Sequence, residues 1–425
     1  MTICHETRQT PVAAVCERRR VALVSLHTSP LALPGIGDAG GMNVYLRSVA
    51  GALAAAGWRV DIYTRATSAD QVARGCDAIG AASLHYLRAG PAEPVDKGAL
   101  AELAGDFARA MLRAPRADVV HSHYWLSGLA GEGAAVAWGV PHVQSLHTVA
   151  AMKNRDLAPG DTPETPRRLA SERRLVRAAA AVVSVSEAER MSIAEDYGVE
   201  AARLRVIHPG VDAVLFHPGP PLDPASLPGP LRREAGYLLM AGRVQPIKGQ
   251  DLAIRALAAL PARGRPALLV TGAPGAGHLE YAAGLRTLAG ELGLADDVVF
   301  LGAQTPARLA DLIRGARLAL MPSRSETFGL LAAEAAACGV PVVGSNTTGL
   351  RSSVVHGETG LLLDSREPAL WADAVAKLLA DPAAAARLAA GGVRLGRERT
   401  WERVAAALVD VYSALVSRAG ASPAS

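Results

Sequence analysis

Tyr237-Leu-Leu-Met-Ala-Gly242-Arg243-Val-Gln-Pro-Ile-Lys248-Gly249-Gln-Asp251 is the stretch on which the fold turns. Its apolar opening is a short strand without alternation, the pattern of a strand covered on both faces. A turn built on Gly, Pro, Lys and Gly follows, and residues 251–260 then take up helical spacing. Strand, turn and helix in that order form the repeating unit of a parallel α/β sheet. Ligands of such sheets bind beyond the carboxyl ends of the strands. Arg243 and Lys248 stand on that loop, and a guanidinium fork with a compact ammonium can clamp a diphosphate. A solvated basic turn is the plainer reading of the same residues.

The same rhythm runs outward in both directions. Strands are expected at 21–26, 59–63, 119–121, 142–146, 181–185 and 205–208, then at 237–240, 267–270, 298–301, 318–321 and 340–343. Helical patterns fill 44–56, 251–260, 281–292, 306–315, 328–338 and 401–418. The fold class is therefore α/β, with two doubly wound, Rossmann-like domains facing each other across a cleft. Pro and Gly gather over 209–223, which marks the break. The expected organisation is a disordered tail at 1–20, a first domain at 21–212, a second at 213–398, and a closing helix and tail at 399–425.

Composition fits this plan. A chain of 425 residues is too long for one ordinary core. Net charge is +4, with 44 basic and 40 acidic residues scattered along the chain. That distribution argues against nucleic acid as a partner and suits small anionic ligands. Cys4, Cys16, Cys76 and Cys338 form no Cys-x-x-Cys pair, so free thiols in a reducing cytosol are expected. No apolar run reaches the roughly 18 residues that span a bilayer, and the expected location is cytoplasmic.

Two further stretches carry chemistry. The loop between His27 and Asn43 contains Gly35, Gly37, Gly40 and Gly41, with a helix expected from about Asn43. Glycines let backbone N–H groups approach a ligand, and a helix start carries partial positive charge. The loop is longer than a dinucleotide-binding turn and lacks G-x-G-x-x-G, which excludes a simple dehydrogenase reading. The other stretch is Pro322-Ser-Arg-Ser-Glu326-Thr-Phe-Gly329-Leu-Leu-Ala-Ala-Glu334. The N–H groups of residues 327–330 are expected to face an anion. Glu326 and Glu334 can accept bonds from sugar or ribose hydroxyls. A helix cap and a surface carboxylate are their plainer readings.

Gly-Arg-x-x-x-x-Lys-Gly and Glu-Thr-Phe-Gly-x-x-x-x-Glu-Ala together resemble the donor site of retaining family 4 glycosyltransferases with the GT-B fold. His27-Thr-Ser-Pro, Gly37-Asp-Ala-Gly-Gly-Met-Asn-Val-Tyr45, His121-Ser-His-Tyr-Trp-Leu-Ser-Gly128, Lys153-Asn154 and Asp161-Thr-Pro-Glu164 are similar to the D-inositol-3-phosphate glycosyltransferases of mycothiol biosynthesis. The resemblance implies transfer of N-acetylglucosamine from a UDP-sugar to 1D-myo-inositol 3-phosphate. It implies donor contacts from His27, Gly41, Arg243, Lys248, Glu326, Phe328, Gly329, Leu330 and Glu334. Glu326, Arg243, Lys248 and His147 are the implied catalytic group. The acceptor phosphate falls to Lys97, Tyr124, Thr148 and Arg168, and the inositol to Asn43. No cofactor and no metal site are expected, since no Asp-x-Asp occurs. A homodimer is expected by resemblance alone.

The chain departs from the family mainly on the donor side. Thr348-Gly-Leu-Arg351 replaces Gly-Gly-Leu-Pro, Gly339-Val-Pro341 replaces Gly-Thr-Pro, Gly302-Ala-Gln304 lacks a proline, and Ala316-Arg317 replaces Ala-Asp. Base and sugar stay open on these grounds, with Arg351 placed to meet a donor substituent. A second reading is a natural-product paralogue that glycosylates an aminocyclitol, or the thiol of ergothioneine, from a UDP- or GDP-sugar. A third is a non-catalytic sugar-nucleotide binder, which the presence of Arg243, Lys248 and Glu326 disfavours.

Overall fold

The structure is a computed structural model. It describes residues 18–421 except 36–38, 158–161, 221, 224–225, 276 and 348. Gly37, Asp38, Asp161, Thr348, Cys4 and Cys16 thus lie outside the described residues.

The first sheet contains β1 (Arg20–Ser25), β2 (Arg59–Arg65), β3 (Cys76–Ile79), β4 (Ala82–Leu87), β5 (Val119–His123), β6 (His142–Ser145), β7 (Ala181–Ser184) and β8 (Leu204–Val206). Their spatial order is β3-β4-β2-β1-β5-β6-β7-β8, parallel apart from the antiparallel β3–β4 pair. The second contains β9 (Tyr237–Ala241), β10 (Ala267–Thr271), β11 (Val298–Gly302), β12 (Leu318–Met321), β13 (Val342–Ser345) and β14 (Gly360–Leu363), in the parallel order β11-β10-β9-β12-β13-β14. The central strands are apolar because helices cover both faces: every residue of β5, β6, β7, β10, β12 and β13 is buried.

Three strands escape the sequence reading. β4 alternates strictly but is joined to β3 by a tight turn at Gly80, and β3 is mostly exposed. β14 begins on a glycine at a sheet edge. Arg20, the last residue given to the tail, opens β1, and its guanidinium pairs with Asp61 at 2.5 Å. The helix after the glycine-rich loop runs Gly41–Ala55, starting two residues before Asn43. The helix after Glu326 starts later than expected, at Leu330.

Each sheet has one point where the strand order reverses, at β1 in the first and β9 in the second. The loops beyond these two strands face each other across one cleft. The chain crosses between domains twice, and the crossings run side by side. Val211 bridges Thr400, with the Val211 N–H donating to the Arg399 carbonyl at 2.7 Å. Gly210 is required there, because a Cβ would stand 2.6 Å from both the Thr400 carbonyl carbon and the Trp401 nitrogen. The last helix, Trp401–Ala421, returns to the first domain. Trp401 meets Tyr45 edge-on, and the Tyr412 hydroxyl bonds His121 Nδ1 at 2.6 Å. One apolar cluster therefore runs through both domains by way of Val211, Phe216 and Trp401. Among the described residues, no helix is long and apolar enough to cross a membrane.

Candidate active site

The cleft has a volume of about 620 Å³ and takes walls from both domains. Its lips touch: the Ala273 N–H donates to the Gly35 carbonyl at 3.1 Å, and Ser325 Oγ reaches Asp156 Oδ2 at 3.3 Å.

The second domain supplies the cationic wall. Beyond β9 the chain turns through Gly242–Gly249 and enters the helix Gln250–Ala259. Gly249 has φ +75°, and a Cβ there would lie 2.2 Å from the Pro322 carbonyl oxygen. This close approach brings the loop after β12 against the loop after β9 and joins Lys248 Nζ to Glu326 Oε1 in an ion pair. Ser323 Oγ donates to the same carboxylate at 3.1 Å. Arg243, Phe328, Gly329 and Leu330 complete this wall. Glu334 lies farther along it. Burial, and then the nearby Asp212 carboxylate, push its pKa up to about 7.

The first domain supplies a wall of cationic and polar side chains built on one ring. Tyr124 follows β5 with φ +77°, an uncommon conformation for a residue with a side chain. The Gln144 amide braces its carbonyl at 3.3 Å. Lys97 Nζ lies 5.1 Å and the Arg168 guanidinium 4.8 Å from the ring centroid, and the His27 ring is 4.6 Å away. Thr165 caps the helix Pro166–Ala178, which sets Arg168 in its first turn. Arg168 Nη2 donates to the Thr148 carbonyl and hydroxyl at 2.9 and 3.0 Å. Its Nε pairs with Glu172 at 2.6 Å and its Nη1 with Glu164 at 2.9 Å.

His147 stands between the walls with φ +60°. Its Nε2 lies 2.8 Å from His123 Nδ1, and burial lowers its pKa to about 3, so the ring stays neutral at working pH. A buried neutral imidazole can donate or accept one hydrogen bond without bringing charge to the sugar.

All the donor and catalytic residues named from the sequence line this cleft, as do Lys97, Tyr124, Thr148 and Arg168. Asn43 does not. Its amide is spent on the glycine-rich loop, accepting from the Gly40 N–H at 2.9 Å and donating to Thr28 Oγ1 and the Ser29 carbonyl at 2.8 and 2.7 Å. Arg351 is also outside the cleft wall, since its Nε donates to Asn346 at 2.7 Å. Gln304 does line the cleft, with its amide folded back on the Leu301 carbonyl at 2.9 Å. Sequence reasoning missed Glu172, which is fully buried and accepts from the Ala150 N–H at 2.9 Å and the Tyr197 hydroxyl at 2.6 Å. Its spacing of four from Arg168 was the available signal.

Two facing Rossmann-like domains, with Arg243 and Lys248 on one wall of the cleft and Lys97 and Arg168 on the other, define a two-domain nucleotide-sugar glycosyltransferase. The family comparisons agree. Residues 40–210 match the glycosyl transferase 4-like domain and residues 229–393 match glycosyl transferases group 1. Among solved structures, sucrose-phosphate synthase from Thermosynechococcus elongatus superimposes with TM-score 0.85 at 30% identity, covering 94% of this chain and 100% of that one. Anabaena HepE in complex with UDP and glucose shares the fold, with TM-score 0.74 at 20% identity over 94% of this chain and 100% of its own. D-inositol 3-phosphate glycosyltransferases from Acidothermus cellulolyticus and a Nocardioides species are 40% and 42% identical, each over 96% of this chain and over 93% and 92% of their own lengths. The chain belongs to the D-inositol 3-phosphate glycosyltransferase family and is a hexosyltransferase.

Proposed function

We propose that the chain moves N-acetylglucosamine from UDP-N-acetylglucosamine to 1D-myo-inositol 3-phosphate, with retention at the anomeric carbon. The observation that carries this reading is the gathering of Lys97, Thr148 and Arg168 around the Tyr124 ring. A phosphomonoester carries close to two charges and needs cationic and neutral donors from several sides. A neutral acceptor would have no use for that array.

On this reading Arg243 and Lys248 neutralise the diphosphate, and Lys248 leaves Glu326 to do so. Glu326 then orients the sugar hydroxyls, Glu334 holds the ribose and neutral His147 contacts the sugar. The acceptor oxygen bonds to the anomeric carbon as the bond from that carbon to the diphosphate oxygen breaks. The acceptor proton passes to the departing diphosphate oxygen. Preorganised cations at that leaving group supply the main stabilisation, with no cofactor in the scheme.

The test is turnover of UDP-N-acetylglucosamine with inositol 3-phosphate, with the product's anomeric coupling constant read by NMR. An α-linked product is expected. A β-linked product would refute retention. Turnover of ergothioneine or an aminocyclitol in place of inositol 3-phosphate would refute the acceptor.

A further inference from the structure

Each nitrogen of the Arg168 guanidinium has a partner within the protein, and the partners differ in how firmly they are held. Its Nε is held by Glu172, a fully buried carboxylate pinned by the Ala150 N–H and the Tyr197 hydroxyl. Its Nη2 is held by the carbonyl and hydroxyl of Thr148. Nη1 is held by Glu164 Oε1 at 2.9 Å, and both residues line the cleft. The same oxygen takes Lys153 Nζ at 2.6 Å. One carboxylate thus bridges two cations of the acceptor wall.

Glu164 is built to leave. Its side chain is 19% exposed, whereas that of Glu172 is 0% exposed. Its backbone stays put, because the Glu164 N–H donates to Asn154 Oδ1 at 2.7 Å. Departure therefore needs only rotation of the side chain. Burial disfavours its charge, but Arg168 and Lys153 outweigh that and hold the carboxyl below its usual range. It stays an anion at neutral pH. An incoming anion meets like charge at Arg168 Nη1, and the two cannot share it cheaply.

We infer that Glu164 is a built-in competitor that occupies the acceptor's anion place while the site is empty and swings out when an anionic acceptor binds. This inference rests on the acceptor reading above. It makes Glu164 a specificity-determining residue. Every anion must displace a tethered carboxylate, so weak singly charged anions fail, whereas a phosphate dianion offers more charge and more acceptor atoms.

The test is calorimetric titration of the full-length protein, with inorganic phosphate and acetate as probes, in wild type, Glu164→Gln, Glu164→Asp and Lys97→Ala. Removing the competitor should tighten phosphate binding about tenfold, the order of one surrendered charge-assisted bond, and should make acetate binding measurable. The shorter Glu164→Asp reaches the two cations less well and should tighten phosphate binding by a smaller factor. The KM for inositol 3-phosphate should fall in Glu164→Gln with kcat little changed. A purely structural Glu164 would give the opposite sign, because Arg168 and Lys153 would lose their anchor and phosphate would bind more weakly. Weaker or unchanged phosphate binding in Glu164→Gln overturns the inference. Phosphate binding that is equally strong in Lys97→Ala and wild type would instead overturn the acceptor site itself, and the inference with it.

Discussion

Glu334 makes donor binding depend on pH, with a sign and a size. Its pKa in the empty cleft is about 7, raised by burial and by Asp212. A carboxyl with that pKa is about one part in eleven ionised at pH 6 and about ten parts in eleven at pH 8. Two ribose hydroxyls require an acceptor, which the ionised form supplies best. Affinity for the donor should therefore rise with pH, with Kd roughly tenfold weaker at pH 6 than at pH 8. The assay is calorimetry with a non-transferable UDP-sugar analogue, whose diphosphate diester does not titrate in this window. Repetition in buffers of different ionisation enthalpy should show proton release near pH 7. Glu334→Gln should be flat with pH, matching wild type at pH 6 and falling behind it at pH 8. A wild-type curve that is flat, or that falls as pH rises, would refute the ribose assignment. So would a Glu334→Gln variant that keeps the wild-type slope.

Three other perturbations follow from the geometry. Lys248→Ala should lower kcat by about a hundredfold, since it removes charge at the leaving diphosphate and strands Glu326; unchanged steady-state kinetics would remove Lys248 from the clamp. Arg168→Lys should raise the acceptor KM while leaving the donor KM unchanged, because an ammonium cannot hold Glu172, Thr148 and a ligand at once. It should also lower the melting temperature, as Glu172 is left poorly paired in the interior. Gly210→Ala should cost about 2 kcal/mol and roughly 5 °C of melting temperature by forcing the two crossings apart; a scan indistinguishable from wild type would show that the crossings tolerate separation.

Much of the fold was legible because buried parallel strands write themselves as short apolar runs. β9, β10 and β12 stand where the sequence put them, within a residue. β3 and β14 were not legible, because each is only four residues long and lies at a sheet edge, with β3 largely exposed and β14 opening on a glycine. In the cleft, Arg243, Lys248 and Glu326 announce themselves by local spacing beside glycines. Lys97, Tyr124, Thr148 and Arg168 do not, because a pocket drawn from four separate segments leaves no local pattern; only resemblance joined them. Asn43 is present and close by, yet both its amide N–H donors are engaged at the helix start, which local spacing did not reveal. Glu164 stands in a motif readable from local spacing, but only the distances to Lys153 and Arg168 reveal which groups it neutralises.

The paired crossings have a consequence for how the molecule is made. Residues 212–399 are, in topological terms, an insertion inside the first domain, whose final helix comes from the far end of the chain. During synthesis the first domain emerges first but cannot close its surface until Trp401 and Tyr412 arrive to cover Tyr45 and His121. The inserted domain has its full set of strands by then. The half that is made first is therefore finished last. A chain truncated before residue 401 would carry a complete donor domain beside an acceptor domain with an open apolar flank, and that flank is where aggregation of nascent or clipped molecules should begin.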